Sequence, residues 1–321
     1  MTGRRFSLTP TKRARLVFFA TAAALLLFPL STQRIQSAQA ATLETQISVG
    51  SGPVGVATNP QTNRVYVANS SSNNVSVIDG SSNAVIATVA VGTNPYGVAT
   101  NPQTNRVYVT NLNSDKVSVI DGSSNTVITT VGVGSSPRGV ATNPQTNRVY
   151  VANYSSNNVS VIDGSSNTVI ATVAVGTSPY GVATNPQTNR VYVANYGSNN
   201  VSVIDGSSNT VIATVGVGSG PVGVATNPQT NRVYVTNFSS DNVSVIDGSS
   251  NTVIATVAVG SRPQGVATNP QTNRVYVTNL NSNNVSVVVD HTLDEFADKF
   301  GNPDLVGVCT EGSLRPGFQL Y

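Results

Sequence analysis

NPQTNRVYV occupies residues 59–67, and the same nine letters return at Asn101, Asn143, Asn185, Asn227 and Asn269, a constant step of 42 residues. The stretch joins a turn, Asn-Pro-Gln-Thr-Asn, to a β-branched and aromatic run, Val-Tyr-Val. Around it each unit carries four such runs, seen in the second copy as GVATN (97–101), RVYVTN (106–111), KVSVID (116–121) and VITTVGVG (127–134). Turn-forming residues separate them, so the runs predict short strands joined by tight turns. Four strands in a period of this length predict a blade, one small antiparallel sheet among several set around an axis. The fold class read from the sequence is therefore all-β, a six-bladed β-propeller of four-stranded antiparallel blades.

Apolar residues stand at nearly every strand position because both faces of a blade press on neighbours; a sheet with one wet face would alternate. The gap between blades narrows toward the axis, which suits the small GVAT run to the innermost strand and leaves room farther out for Tyr66 and its equivalents. With no Trp in the chain, the core is a sum of many small contacts. Runs like VIATVAVG are one short of the other three kinds, and residues 43–50, LETQISVG, align with residues 85–92 at the 42-residue offset. The expectation is that this N-terminal strand completes the last blade, giving 24 strands and removing the exposed edges of an open array. If Asn69 and Asn74 close a hairpin, Arg64 faces Asp79, and by the same offset Arg106 faces Asp121, Arg148 Asp163, Arg190 Asp205, and Arg232 Asp247. These are read as structural pairs that pin register, each contributing about 0.2–1 kcal/mol if exposed. The last blade departs from the rule, with Val289 in the acidic place and Asp290 one later.

Residues 1–40 have the layout of a signal peptide: Arg4, Arg5, Lys12, Arg13 and Arg15, the apolar run 16–30, and Ala38-Gln39-Ala40 for cleavage after Ala40. The apolar run is too short to span a bilayer, so the mature protein is expected to be exported and not membrane-spanning. Six of the 17 basic groups lie in residues 1–40, leaving eleven against 14 acidic ones, a mature net charge of −3. That balance excludes the basic patch a nucleic-acid partner needs. The single cysteine, Cys309, excludes an internal disulfide. Three domains follow: signal peptide 1–40, propeller 41–290 and C-terminal tail 291–321.

The tetrapeptide YVTN at residues 108–111 recurs at 234–237 and 276–279, with YVAN in the other three units. Together with the Pro95 and Gly97 lead-in, the Asn-Pro turn and VSVID, it resembles the YVTN β-propeller repeat family, similar to surface-layer-type and exported propellers. The resemblance spans residues 43–289 and implies the propeller fold. Members often carry seven blades, whereas the count here is six. Related propellers include lactone hydrolases, but the repeat motif transfers no catalytic residue.

A catalytic centre needs groups that converge once, and here the polar residues repeat around the axis. His291 is the lone histidine, Cys309 has no histidine near it in sequence, and Asp79-Gly80-Ser81-Ser82-Asn83 lacks the alternating acids of a calcium loop. No catalytic residue, metal site or cofactor is expected. Strand direction alternates, so the loops leading into the inner strands and those joining second to third strands share one face. There the copies differ: Val54, Tyr96, Arg138, Tyr180, Val222 and Gln264 ring the channel mouth, and Ser70, Leu112, Tyr154, Tyr196, Phe238 and Leu280 stand outside it. Variation on a constant frame is what a recognition surface shows. Tyr96, Arg138, Tyr154, Tyr180, Tyr196, Phe238 and Gln264 are the candidate binding residues, an amphipathic set suited to a protein or glycan of the cell envelope. The alternative is a lactonase-like hydrolase using the same mouth. In the tail, Thr292-Leu293-Asp294-Glu295 predicts a capping box before a short helix, with Leu293, Phe296 and Phe300 along one side and Gly301 as its stop.

Overall fold

The computed structural model describes residues 44–290. The expected signal peptide, Leu43 and the helix expected in the tail lie outside the described residues. Strands β1 (Pro53–Asn59), β2 (Arg64–Asn69), β3 (Asn74–Asp79) and β4 (Ala84–Ala90) pair antiparallel in chain order to make the first blade. Sheets of the same kind follow at every 42-residue step, six in all, the sixth with three strands among the described residues. The innermost strand of each blade packs beside that of the next, so the sheets stand around an axis as a six-bladed β-propeller.

The turns explain the Asn residues that close them. Asn63, Asn73 and Asn83, each the last residue before a strand, have φ of 51°, 55° and 57°. Only glycine and short polar residues such as Asn reach that left-handed region at low cost. In the Asp-Gly-Ser-Ser-Asn turn, Asp79 Oδ1 accepts from Ser81 N (3.1 Å), Ser82 N (2.9 Å) and Ser82 Oγ (3.0 Å). Asn69, the Asn of YVAN, is buried and donates Nδ2 to Asn74 Oδ1 (2.8 Å) and Ser76 Oγ (3.0 Å), closing the β2–β3 hairpin. The repeated Asn residues are thus scaffold.

Register is as read: Arg64 faces Asp79, and the four equivalent pairs hold their places. Their side chains do other work, however. Among the described residues no ion pair joins Arg64 to Asp79, Arg106 to Asp121, Arg148 to Asp163 or Arg190 to Asp205; the ion pair present is between Arg232 and Asp290. Each aspartate is turned into its own turn, while Arg148 Nη1 reaches forward to Gly206 O (2.7 Å) in the next blade. Arg64 and Arg190 make the same forward contact, to Gly122 O and Gly248 O. The reason is local supply: the turn offers the carboxylate N–H groups at once, whereas the guanidinium finds a carbonyl across the blade gap.

The five turn aspartates, Asp79, Asp121, Asp163, Asp205 and Asp247, are all held below the usual carboxylate range, first by the backbone N–H of the serine three residues on. A carboxyl lowered on folding contributes stability that is present above its unfolded value, ~3.9, and lost as pH falls through the folded value. The thermal midpoint should therefore decline as pH drops below about 4. A variant with all five changed to Asn, whose amide oxygen can still accept, should show a flatter acid limb in a pH series of melts. An acid limb as steep as that of the parent would refute this account.

The core lies between blades. Tyr66 is fully buried under Val107, Val109 and Ile120 of the second blade, and Tyr108, Tyr150, Tyr192 and Tyr234 are buried in the same way. Polar bonds run beside this packing: Asn59 Nδ2 to Asn105 Oδ1 (3.0 Å) and Thr100 Oγ1 to Thr58 O (2.7 Å), repeated from blade to blade.

The expected closure does not occur. The last sheet holds three strands, β21 (Pro263–Asn269), β22 (Arg274–Asn279) and β23 (Asn284–Val289), and residues 44–49 form no strand. Gly50 packs on Asn69 and Ser72 as Gly92 packs on Asn111 and Ser114, so the N-terminal segment does enter blade one as the outer strand of a preceding blade. Among the described residues no blade stands there. Because the same contacts recur at each step, each blade is rotated equally from the last, and the five steps from β1 to β21 leave those two strands apart. Val54 and Val56 on β1, and Tyr276, Val285, Val287 and Val289 in the last blade, are consequently exposed. Asp290 is buried, paired with Arg232 and accepting from Thr230 Oγ1 (3.1 Å) and the Tyr234 hydroxyl, which ties the end of blade six to blade five.

Candidate binding site at the channel mouth

Each mouth residue is the second of its inner strand, between proline and glycine. From Tyr96 to Gln264 its carbonyl lies against the glycine of the preceding blade: an added Cβ on Gly97 would be 2.4 Å from Arg138 O, and one on Gly139 2.5 Å from Tyr180 O. That contact fixes the backbone and leaves the side chain to the channel. Val54, Tyr96, Arg138, Tyr180, Val222 and Gln264 all line one cavity of about 590 Å³. Its floor is the valine row from Val56 to Val266, and Arg138 is the charged side chain in the lining.

The structure brings four of the seven expected residues into one cluster. The Arg138 guanidinium carbon stands 4.5 Å from the Tyr154 ring centroid, 4.6 Å from Tyr180 and 5.4 Å from Tyr96. Tyr180 meets Tyr96 edge to face at 6.2 Å and Tyr154 at 6.3 Å. The Tyr96 and Tyr180 hydroxyls are hydrogen-bonded to each other across Arg138. Burial, followed by that hydrogen bond, pushes Tyr96 up to about 12, so its hydroxyl stays neutral at physiological pH. Ring faces attract a cation by about 0.5–2 kcal/mol each, more as water is excluded. Among the described residues no carboxylate pairs with Arg138, and its Nε is buried without a hydrogen-bond partner. The result is a positioned guanidinium whose charge is softened by π faces but not neutralised.

Tyr196, Phe238 and Gln264 do not touch that guanidinium. They join Tyr154, Tyr180 and Val222 around an adjoining recess of about 220 Å³, with Gln264 shared between recess and channel. Arg262 stacks on Phe238 at 5.4 Å, a second cation on the same face that reading the sequence missed. The clasp of Tyr96 on Tyr180 was also missed. The signal for it was present: the two residues lie two units apart and flank Arg138 in the mouth ring. Chemically, the arrangement offers flat aromatic faces, one amide and cationic donors, with no acid or histidine in the lining of either cavity.

No protein-family model and no curated protein matches this chain. Among solved structures it is similar to a chain described as Kuenenia stuttgartiensis hydrazine synthase, with a TM-score of 0.53 and 19% identity over 78% of this chain and 99% of that one. At that identity the likeness shows the propeller fold alone.

Proposed function

We propose that this protein is an exported, non-enzymatic propeller of the YVTN-repeat kind that binds an acidic glycan of the cell envelope at its channel mouth. The observation that carries the reading is Arg138, held over three tyrosine rings without a carboxylate partner and facing a cavity large enough for a few sugar units. A sugar carboxylate would take the guanidinium donors, and pyranose faces would lie on Tyr154, Tyr196 and Phe238 in the adjoining recess. Export rests on the composition of residues 1–40. What favours binding over lactone hydrolysis is the lining, where no acid or histidine accompanies Arg138.

The test is a titration of the mature protein with uronic-acid-containing and neutral oligosaccharides. Hydrogen bonds to a charged group contribute about 1.5–3 kcal/mol, so Arg138→Ala should weaken the acidic ligand about ten- to hundredfold. The triple change of Tyr154, Tyr180 and Tyr196 to Ala should abolish measurable binding. Equal affinity for neutral and acidic chains, or an Arg138→Ala variant that binds as the parent does, would rule this reading out.

A further inference from the structure

The open seam beside β21 has a matching segment in the same chain. Residues 307–310 read Gly-Val-Cys-Thr and fall 42 residues after Gly265-Val266-Ala267-Thr268, in phase with the GVAT run of all six blades. Val306 then takes the phase of the mouth residues, following Gln264 by the same step. The interval from Val289 to Leu305 equals that from Asp247 to Pro263, so the connection has the length used between other blades. Phe318 likewise falls in phase with Tyr276 and the buried tyrosines before it.

Among the described residues, contacts that recur at every earlier step break off at β21, at the places this segment would take up. Gly55, Gly97, Gly139, Gly181 and Gly223 each lie against the carbonyl of the mouth residue 41 positions later, whereas Gly265 meets only Thr278 of its own blade. The residue 41 positions after Gly265 is Val306. Thr142, Thr184, Thr226 and Thr268 each donate Oγ1 to the carbonyl of the threonine one unit earlier, at 2.7–2.8 Å. The next donor in that series is Thr310, and its acceptor would be Thr268 O. Thr236 Oγ1 reaches across to Gln264 O at 3.0 Å; the corresponding bond from Thr278 would go to Val306 O. On the far side of the seam Val56 is 65% exposed, an apolar side chain waiting for a neighbour.

We infer that residues 306–310 dock beside β21 as the innermost strand of a seventh, partial blade and fill the seam. This occupant is tethered where the chain leaves the buried Asp290, so its local concentration far exceeds that of any free partner. Residues 291–304 contain no counterpart of VIATVAVG, so the filling is a strand wedged at the axis, with the outer edge of β23 left unpaired. The inference is independent of which ligand the mouth takes.

Cys309 is the only cysteine of the chain and lies inside the proposed strand, which makes maleimide labelling of the mature full-length protein the experiment. Native Cys309 should react at least about tenfold more slowly than in denaturant, as expected of a group exposed only on local opening. Gly307→Val puts a branched side chain where the equivalent glycines tolerate none, and should restore the denatured rate. Because Gly307 lies outside the described blades, the far-UV spectrum and melt of those blades serve as the check that the variant is folded. A native rate equal to the denatured one overturns the inference, and so does protection that survives Gly307→Val in a folded protein. Protection that rises with protein concentration together with dimer formation would assign the seam to a second copy, which also overturns it.

Discussion

Gly181→Val should lower the thermal midpoint by roughly 6–12 °C or prevent folding, whereas Gly216→Ala should leave it unchanged or raise it slightly. A Cβ on Gly181 would sit 2.2 Å from Val222 O, a backbone atom of the next blade. Backbone cannot rotate away as a side-chain end can, so the blades must separate. Overpacking of this kind costs about 1–3 kcal/mol and more when the neighbour is rigid, and ~3 kcal/mol corresponds to that shift in a chain of this size. Gly216 has nothing within 4 Å of the position its Cβ would take, and other blades carry alanine there, at Ala90, Ala174 and Ala258. Replacing glycine by alanine at such a site stabilises by about 0.4–1 kcal/mol through the unfolded chain. Two glycines a few strands apart should thus respond with opposite signs, read in a single set of calorimetric melts. A Gly181→Val protein as stable as the parent would mean that the blades are not in contact at the axis.

Tyr108→Ala should destabilise by about 3–5 kcal/mol, the usual cost of emptying a large aromatic site, while the same change at Tyr276 should cost well under half as much. The two tyrosines hold the same place in their blades. Tyr108 is fully buried beneath the third blade, whereas Tyr276 is 37% exposed because no described strand covers it. The Tyr108 hydroxyl is buried without a hydrogen-bond partner, and burial pushes its pKa up. Tyr108→Phe should therefore be neutral or stabilising. Denaturant titrations of the three variants separate the contribution of the ring from that of the hydroxyl. Equal losses at positions 108 and 276 would show the seam to be closed in solution by something as complete as a blade.

Blade architecture was legible in the sequence because the unit is repeated. Strand limits, turn positions and the facing of Arg64 on Asp79 all follow from one 42-residue period, and the observed register agrees with them. What could not be read was the rotation between blades. It is set by how closely the carbonyl of Tyr96 approaches Gly55 and by how Tyr66 seats under Val107 and Val109; the residues recur with the period, but the angle their packing imposes is not written in their spacing. The expectation that residues 43–50 would complete the last blade, as the twenty-fourth strand, followed from the repeat and took the angle for granted; residues 44–49 form no strand and the described blades hold 23. The side chains of Arg64 and Asp79 show the same limit on a smaller scale. Register placed them face to face, but each found a backbone partner nearer than the other. At the mouth, the ring of varying residues was visible as departures from the repeat, and all seven candidates do reach one face. The grip of Tyr96, Tyr154 and Tyr180 on Arg138 depends on rotamers chosen across three blades, which pattern alone does not determine.

A ring has no first or last member, but this array of blades does. With nearest-neighbour contacts as its main cohesion, the disc is energetically a short row bent round on itself, and its two termini are the weakest places. Opening should then travel inward from the first and sixth units, with the third and fourth, which carry Arg138, Tyr154 and Tyr180, the last to let go. The residues that hold the guanidinium sit where loosening arrives latest.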